Sequence, residues 1–131
     1  MISYGVIPIV KDNEGWKILL VQHVNGHWSF PKGRPEPDEA PFETAVRELF
    51  EETGLAVDQW VEDQSFTEHY SFHHNGKRIK KTVKYFLASV KGDVKIQDEE
   101  LCDFCFVTLE EAKKKVTFDE ARSILKQLHL P

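Results

Sequence analysis

Apolar residues recur along the chain with two different spacings, which predict a set of strands and three helices. Alternating or continuous apolar runs rich in Val, Ile, Tyr and Phe are typical of strands. They lie at residues 3–10, 16–24, 28–30, 57–74, 77–90 and 104–107. Segments without internal Gly or Pro and with helical capping signals favour helices at residues 42–53, 109–115 and 117–129. This order of strands, helix, strands and helices predicts an α+β fold, an α/β/α sandwich around a mixed β-sheet.

The ends of several elements carry their own signals. Asn-Gly at 75–76, between two β-rich runs, is the strongest short hairpin signal. Gly54 stands where a helix C-cap glycine is expected, and Asp38 is the predicted N-cap of the same helix. The sequence Thr-Phe-Asp-Glu at 117–120 has the spacing of a capping box for the last helix. Pro8 predicts that the first strand is an edge strand or contains a bulge.

Composition and charge narrow the class of protein. The chain of 131 residues, 40% of them hydrophobic, suits a single domain over 1–131. No apolar run approaches the ~18 residues that cross a bilayer, and the first residues lack the pattern of a signal peptide. The two cysteines, Cys102 and Cys105, favour ordinary reduced thiols, so we expect a cytoplasmic protein with no membrane partner. A net charge of −5 makes general nucleic-acid binding unfavourable. The oligomeric state is left open.

Three glutamates share one face of the first long helix. Glu48, Glu51 and Glu52 stand at i, i+3 and i+4, where each pair of like charges costs on the order of a few tenths of a kcal/mol in an isolated helix. A bound cation is the simplest explanation for this arrangement. Oxygen ligands favour a hard cation such as Mg²⁺ or Mn²⁺. The Pro/Gly-rich loop before the helix fixes the position of Gly33, whose carbonyl is a further candidate ligand.

The alternative interpretation of this face is a solvated run of charges, which such runs usually are. The rest of the helix argues against that alternative, because a separate apolar stripe already arranges its packing. The predicted stripe consists of Phe42, Ala45, Val46 and Leu49.

Arg47 has two possible roles. It lies four residues after Glu43 and four before Glu51, so it is either half of a surface ion pair or a guanidinium that holds one glutamate in a fixed rotamer.

Nine residues at fixed spacing between 33 and 55 resemble a known motif. They match every specified position of the Nudix box: Gly33, Glu39, Arg47, Glu48, Leu49, Glu51, Glu52, Gly54 and Leu55. The resemblance implies an α/β/α sandwich. It also implies hydrolysis of a diphosphate joined to another moiety, by water attack on phosphorus with divalent metal ions.

The same resemblance assigns roles to the residues of the box. Glu48, Glu51 and Glu52 would be metal ligands beside the carbonyl of Gly33. Arg47 and Glu39 would orient this cluster. The general base would be either Glu52 or a glutamate outside the box, because members of the family differ in this respect.

The flanking segments are similar to the asymmetrical diadenosine tetraphosphate hydrolases. The similar segments are residues 28–33, 81–90 and 99–112. This resemblance implies cleavage of diadenosine tetraphosphate to ATP and AMP. The alternatives are other Nudix substrates, namely triphosphate-capped RNA, nucleoside triphosphates or diphosphoinositol polyphosphates, and a non-catalytic domain that only binds a nucleotide.

The similarity also implies contacts to such a substrate. Lys32, Lys81 and Tyr85 would contact the polyphosphate, and Glu100 would be a metal ligand or the base outside the box. An adenine would stack on an aromatic side chain, either Tyr70 or Phe118.

Each of these assignments has an ordinary structural alternative. The basic residues between 77 and 84 would also keep an exposed hairpin soluble. Glu99 and Glu100 would also suit a polar turn, and Trp28 and Tyr85 would suit the core.

Overall fold

The computed structural model describes all 131 residues, which form seven strands and three helices. The strands are β1 Ile2–Asp12, β2 Gly15–His23, β3 Trp28–Ser29, β4 Lys32–Gly33, β5 Ala56–His74, β6 Lys77–Lys91 and β7 Leu101–Val107. The helices are α1 Pro41–Thr53, α2 Leu109–Lys115 and α3 Asp119–Gln127. The predicted α+β class is confirmed. None of the helices has the length and apolar character needed to span a lipid bilayer.

The strands form one mixed sheet with helices on both faces. Its main order is β3-β2-β1-β6-β5, with β4 paired to β1 and β7 paired to β2. The central pair, β1 and β6, is parallel, and every other pairing is antiparallel. One apolar cluster buries Ala45 and Leu49 of α1 against the sheet. A second cluster buries residues of α2 and α3, including Ala112 and Leu125, against the opposite face. This is the predicted α/β/α arrangement.

Pro8 lies in an interior strand, so the prediction of an edge strand is wrong. β1 pairs with β6 along one side, while its other side pairs with β4 up to Gly5 and with β2 only from Ile9. The N–H of Val6 donates to Pro31 at 3.3 Å on that second side. A backbone N–H at position 8 would point to the same side as that of Val6, because the orientation of strand residues repeats every two positions. Pro8 therefore lies between the segments that pair with β4 and with β2, where no carbonyl lacks a donor because proline has no N–H.

Two of the predicted boundaries are confirmed by the backbone. Gly54 ends α1 in the left-handed region with φ of 78°, and its N–H donates to the carbonyl of Phe50. The β5–β6 hairpin turns at Asn75 and Gly76, whose φ values of 51° and 75° are those of a type I′ turn.

Two of the predicted caps are wrong. Asp38 has φ of 64° and lies before the helix, whose N-cap is Ala40. The last helix has Phe118 as its N-cap and no side-chain cap. Thr117 is engaged elsewhere, since its hydroxyl accepts a hydrogen bond from the N–H of Trp28 at 2.8 Å. At α3, a contact with a distant segment takes the Thr117 side chain away from the start of the helix.

Candidate active site

Helix α1 buries a carboxylate together with part of its apolar stripe. Of the predicted stripe only Ala45 and Leu49 are buried, whereas Phe42 and Val46 are 51% and 38% exposed. The side chain that takes the inner position is Glu52, with 2% exposure. Apolar spacing alone therefore misjudged the inward direction of this helix.

Glu52 is held at the junction of α1 and β4. Its Oε2 accepts a hydrogen bond from the backbone N–H of Lys32 at 2.9 Å. Burial, followed by the nearby charges of Glu48 and Glu100, raises the pKa of Glu52 to about 9. Because the effect of Glu100 requires proximity, the structure brings this glutamate from the turn before β7 to the carboxylates of the helix.

Glu48 lies against the backbone of Gly33. A Cβ atom at position 33 would overlap the Glu48 carboxyl group, so only glycine leaves room for it there. Burial raises the pKa of Glu48, and the charges of Glu51 and Glu100 add to this effect, while Arg47 opposes it. Glu51 is the most exposed of the three helix carboxylates, with half of its side chain accessible.

Arg47 connects the helix carboxylates to the preceding loop. It donates two hydrogen bonds to Glu39, one to Glu48 at 2.9 Å and one to Glu51 at 3.1 Å. A further bond runs to the carbonyl of Arg34 at 2.9 Å. The other possible ion-pair partner, Glu43, is used at the helix start, where it accepts from the Ala40 N–H. These contacts are those of a residue that fixes rotamers rather than those of an isolated surface pair.

The donor set suits a hard divalent cation, although it does not form a ready-made shell. No group of three or more His, Cys, Asp or Glu side chains is arranged to hold a metal ion. Glu48 and Glu51 instead contact Arg47, and Glu52 contacts the backbone. The donors are nevertheless all oxygens. Burial, and after it the repulsion between neighbouring carboxylates, raises the pKa of Glu48 and Glu52, and a bound cation would offset both effects.

An aromatic cavity of about 380 Å³ opens beside β4. It is lined by Lys32 and by three rings, those of His27, Tyr70 and Phe118. The centroids of the His27 and Phe118 rings are 5.4 Å apart, and Phe118 is half-exposed. The two aromatic residues considered for base stacking, Tyr70 and Phe118, thus face one space.

Lys81 lies close to Lys32, although only Lys32 lines this cavity. The pKa of Lys81 is lowered first by burial and then by the charges of Lys32 and Arg34. Three positive side chains are therefore near one another on the side of Lys32, which favours an anionic ligand.

Tyr85 lies behind the cavity rather than on its surface. Its side chain is completely buried, and its ring packs edge-on against Phe30 with centroids 5.2 Å apart. Its hydroxyl donates to Oε1 of Glu68 at 3.4 Å. The predicted direct contact with polyphosphate is therefore corrected to an indirect position behind Glu68, because the inward face of β6 continues the core at this residue.

Two acidic residues of the cavity were missed from the sequence. Glu68 of β5 is 9% exposed, and Glu120 of α3 lies opposite it on the lining. Glu68 stands two residues before Tyr70, so the two-residue period of a strand placed both on one face. Glu120 had no such signal, since its place depends on how α3 packs.

Comparison with known proteins agrees with the geometry. A family model described as the NUDIX domain matches residues 1–128. The chain belongs to the Nudix family. It is 37% identical over 128 residues to the bis(5′-nucleosyl)-tetraphosphatase [asymmetrical] of Rattus norvegicus, covering 95% of this chain and 85% of the relative. The protein of the same name from Caenorhabditis elegans is 31% identical over 112 residues, with 84% and 79% covered.

The fold is shared with solved Nudix structures. A C. elegans Ap4A hydrolase, solved as a binary complex, superposes with a TM-score of 0.81 and 30% identity, covering 95% of this chain and 92% of that one. A MutT protein from Methanosarcina mazei gives a TM-score of 0.72 at 23% identity, with 97% and 91% covered. The protein is therefore a pyrophosphohydrolase of the Nudix family.

Proposed function

We propose that this Nudix pyrophosphohydrolase cleaves diadenosine tetraphosphate asymmetrically to ATP and AMP, with Mg²⁺ or Mn²⁺ as the cofactor. One observation carries the proposal. The two residues of β4 face different neighbours, since Lys32 lines the aromatic cavity and Gly33 lies against Glu48. A nucleotide base in the cavity would thus place its phosphates beside the helix carboxylates. The relatives named for this reaction match most of the chain.

The residues divide the work by chemistry. Tyr70 and Phe118 offer faces on which an adenine ring stacks. Lys32 and Lys81 offer ammonium groups to the phosphate oxygens, whose positioning and neutralisation dominate phosphoryl transfer.

The acidic residues would bind the metal ion and accept the proton. Glu48, Glu51, Glu52 and Glu100, with the Gly33 carbonyl, would hold the metal ion. Such an ion, when bound, neutralises phosphate charge and lowers the pKa of water. Glu52 or Glu100 would accept the proton of the attacking water, and Arg47 with Glu39 would keep the carboxylates in place.

Product analysis tests the proposal. The purified protein is incubated with diadenosine tetraphosphate in Mg²⁺ or in EDTA, and the nucleotides are separated by anion-exchange chromatography. We expect equal amounts of ATP and AMP with Mg²⁺ and no turnover in EDTA. Two molecules of ADP, or no turnover with metal, would contradict it.

Two variants sharpen this experiment. Glu100→Gln is expected to lower kcat by orders of magnitude. The control is Glu99→Gln, which changes the neighbouring exposed residue and is expected to retain activity. A panel of triphosphate-capped RNA, nucleoside triphosphates and diphosphoinositol polyphosphates at equal concentration covers the other Nudix substrates. A higher kcat/KM on any of them would replace the proposed substrate.

A further inference from the structure

Glu68 is a buried carboxyl group in the wall of the aromatic cavity. It lies on β5 two residues before Tyr70, so both side chains are on the face of the sheet that bears the cavity. Only 9% of the residue is exposed. A buried carboxylate normally has a cationic partner that offsets its loss of hydration, yet no ion pair of the protein includes Glu68. Its burial therefore calls for another donor.

The protein itself uses only one oxygen of this carboxyl group. The hydroxyl of Tyr85 donates to Oε1 of Glu68 at 3.4 Å, and the Tyr85 side chain is completely buried. Oε2 accepts no hydrogen bond within the protein and is not enclosed by it. Because Glu68 lines the aromatic cavity, the free oxygen is available to a ligand there.

Neighbouring groups show where this carboxyl group lies. Burial raises the pKa of Glu68, and the charge of Lys32 opposes this effect while that of Glu120 adds to it. Burial also raises the pKa of Tyr70, and the charge of Glu68 is the next cause. Glu68 is thus close both to the lysine that faces the phosphates in the proposed function and to the ring offered to the base.

The shape of the aromatic cavity determines which part of a base would meet Glu68. A base that stacks on Tyr70 or Phe118 lies with its plane along a ring, so one of its edges faces the buried wall. Adenine carries an exocyclic amino group on its edge, which donates hydrogen bonds, whereas a 6-oxopurine carries an acceptor at the same place. A carboxylate accepts from the first group and repels the second.

We propose that Glu68 is a specificity-determining residue, whose Oε2 accepts a hydrogen bond from the exocyclic amino group of the bound base. The ligand class is a 6-aminopurine nucleotide in preference to a 6-oxopurine nucleotide. This inference rests on the proposed function for the assignment of the aromatic cavity to a base. Tyr85 is then a positioning residue, because its bond to Oε1 leaves Oε2 for the ligand.

Glu68→Gln reverses the hydrogen-bonding character of this wall. The side-chain oxygen of glutamine can keep the bond from Tyr85, which turns the amide NH₂ group towards the cavity as a donor. The variant should therefore lose its acceptor for an amino group and gain a donor for a carbonyl group. Since the bond to the buried tyrosine is kept, we expect the fold to be retained.

Nucleotide binding without turnover tests the proposal. Titration calorimetry in EDTA compares ATP with ITP, which has a carbonyl group at the 6-position, and with purine-riboside triphosphate, which has no group there. We expect the unmodified protein to bind ATP about 10-fold more tightly than either analogue, and Glu68→Gln to bind ITP more tightly than ATP by about 5-fold. The control is Glu62→Gln, which changes an exposed glutamate of the same strand outside the aromatic cavity and should keep the original order.

Three results would overturn the role of Glu68. The first is an ATP-to-ITP ratio that is the same in Glu68→Gln and in the unmodified protein. The second is an equal loss of affinity for ATP and for purine-riboside triphosphate. The third comes from 2′-deoxy-ATP: if the variant loses only the discrimination between ATP and this analogue, Glu68 binds the ribose instead. Each ratio compares two ligands on one protein, so a partial loss of folded molecules does not affect it.

Kinetics separates this inference from the proposed function. The ratio of kcat/KM for diadenosine tetraphosphate to that for diinosine tetraphosphate is expected to fall by about 10-fold or more in Glu68→Gln and to stay constant in Glu62→Gln. An unchanged ratio, with hydrolysis intact, overturns the role of Glu68 alone. If diadenosine tetraphosphate is not hydrolysed but Glu68→Gln still reverses the preference between ATP and ITP, the role of Glu68 stands and the proposed substrate fails.

Discussion

Arg47 and Glu39 are joined by two parallel hydrogen bonds, from Nε to Oε2 at 2.7 Å and from Nη2 to Oε1 at 3.0 Å. The same guanidinium reaches Glu48 through Nη1 at 2.9 Å. One planar group thus sets the position of a loop carboxylate and a helix carboxylate together. A lysine at this position would keep the charge without the fork.

Arg47→Lys is therefore expected to lower kcat by about 10- to 100-fold, because small displacements of catalytic groups have effects of this size. KM should change little, since Arg47 does not line the aromatic cavity. Steady-state kinetics with diadenosine tetraphosphate measures both. Arg122→Lys is the matched control, because Arg122 makes a comparable set of bonds at the α2–α3 connection. A similar loss in both variants would indicate a general effect on folding.

The Arg47–Glu39 pair should also make the stability of the folded protein depend on pH in the acidic range. Hydrogen bonds from Arg47, then from Thr44, lower the pKa of Glu39 from 4.5 to about 2 in the folded protein. A lowered carboxyl pKa stabilises the fold above the unfolded value, and this contribution disappears as the pH falls from about 4.5 towards 2. The melting temperature of the unmodified protein should exceed that of Glu39→Gln above pH 5. The gap should close towards pH 2, and a gap that does not depend on pH would contradict the prediction.

Glu52→Gln is expected to stabilise the metal-free protein while it abolishes activity. Folding raises the pKa of Glu52 from 4.5 to about 9, so its ionisation opposes folding. This penalty is absent below pH 4.5 and grows as the pH rises to about 9. Melting curves in EDTA should show that the melting temperature of the variant, relative to that of the unmodified protein, increases over that pH range.

With Mg²⁺ present, the unmodified protein should be more stable than Glu52→Gln, because a ligand that binds only the folded state raises its stability. Activity should fall by orders of magnitude, which is a trade-off typical of active sites. A variant that is less stable at pH 8 in EDTA, or one that retains turnover, would show that Glu52 has another role.

Gly33→Ala is expected to disturb the carboxylates rather than the backbone. Its Cβ would overlap the Glu48 carboxyl, which must then rotate away. We expect kcat to fall by more than about 10-fold, an effect typical of a displaced catalytic group, and half-maximal activity to require more Mg²⁺. A Mg²⁺ titration of activity measures both. Gly15→Ala is the control for a general loss of stability, because its Cβ would meet no atom within 4 Å although its φ of 115° strains an alanine. Unchanged Mg²⁺ dependence in Gly33→Ala would contradict the contact.

Phe118→Ala is expected to weaken substrate binding more than catalysis. Stacking of a base on an aromatic ring contributes roughly 1–3 kcal/mol, so KM should rise by about 5- to 100-fold with kcat largely kept. Phe118 is 52% exposed, so little core packing is lost. Phe106→Ala, at 39% exposure on β7, is the control. An equal change in KM for both variants would exclude stacking on Phe118.

Local sequence predicted the parts of this protein that depend on local spacing. The type I′ turn at Asn75-Gly76 and the C-cap at Gly54 were correct because each needs a backbone conformation that few residues adopt. Helical geometry also places the carboxylates of α1 on one face, whereas their role as metal ligands stays a prediction.

The errors lie where distant segments decide. Thr117 accepts a bond from Trp28, 89 positions away, and so does not cap α3. Tyr85 shares a strand face with Lys81, yet only the packing of Phe30 shows that its ring is in the core. Glu120 reaches the aromatic cavity because α3 packs beside β5, a relationship that no single segment contains.

The short strand β4 fixes the positions of Lys32 and Gly33 together, because both depend on one strand register. Gly33 pairs with Tyr4 and Lys32 pairs with Gly5, so β1 fixes the register of both. Neighbouring strand residues point to opposite sides, and a shift of one position would turn the lysine towards Glu48 and the glycine towards the cavity. A change in length between β3 and α1 would therefore alter the cavity at Lys32 and the contact of Gly33 with Glu48 in a single step.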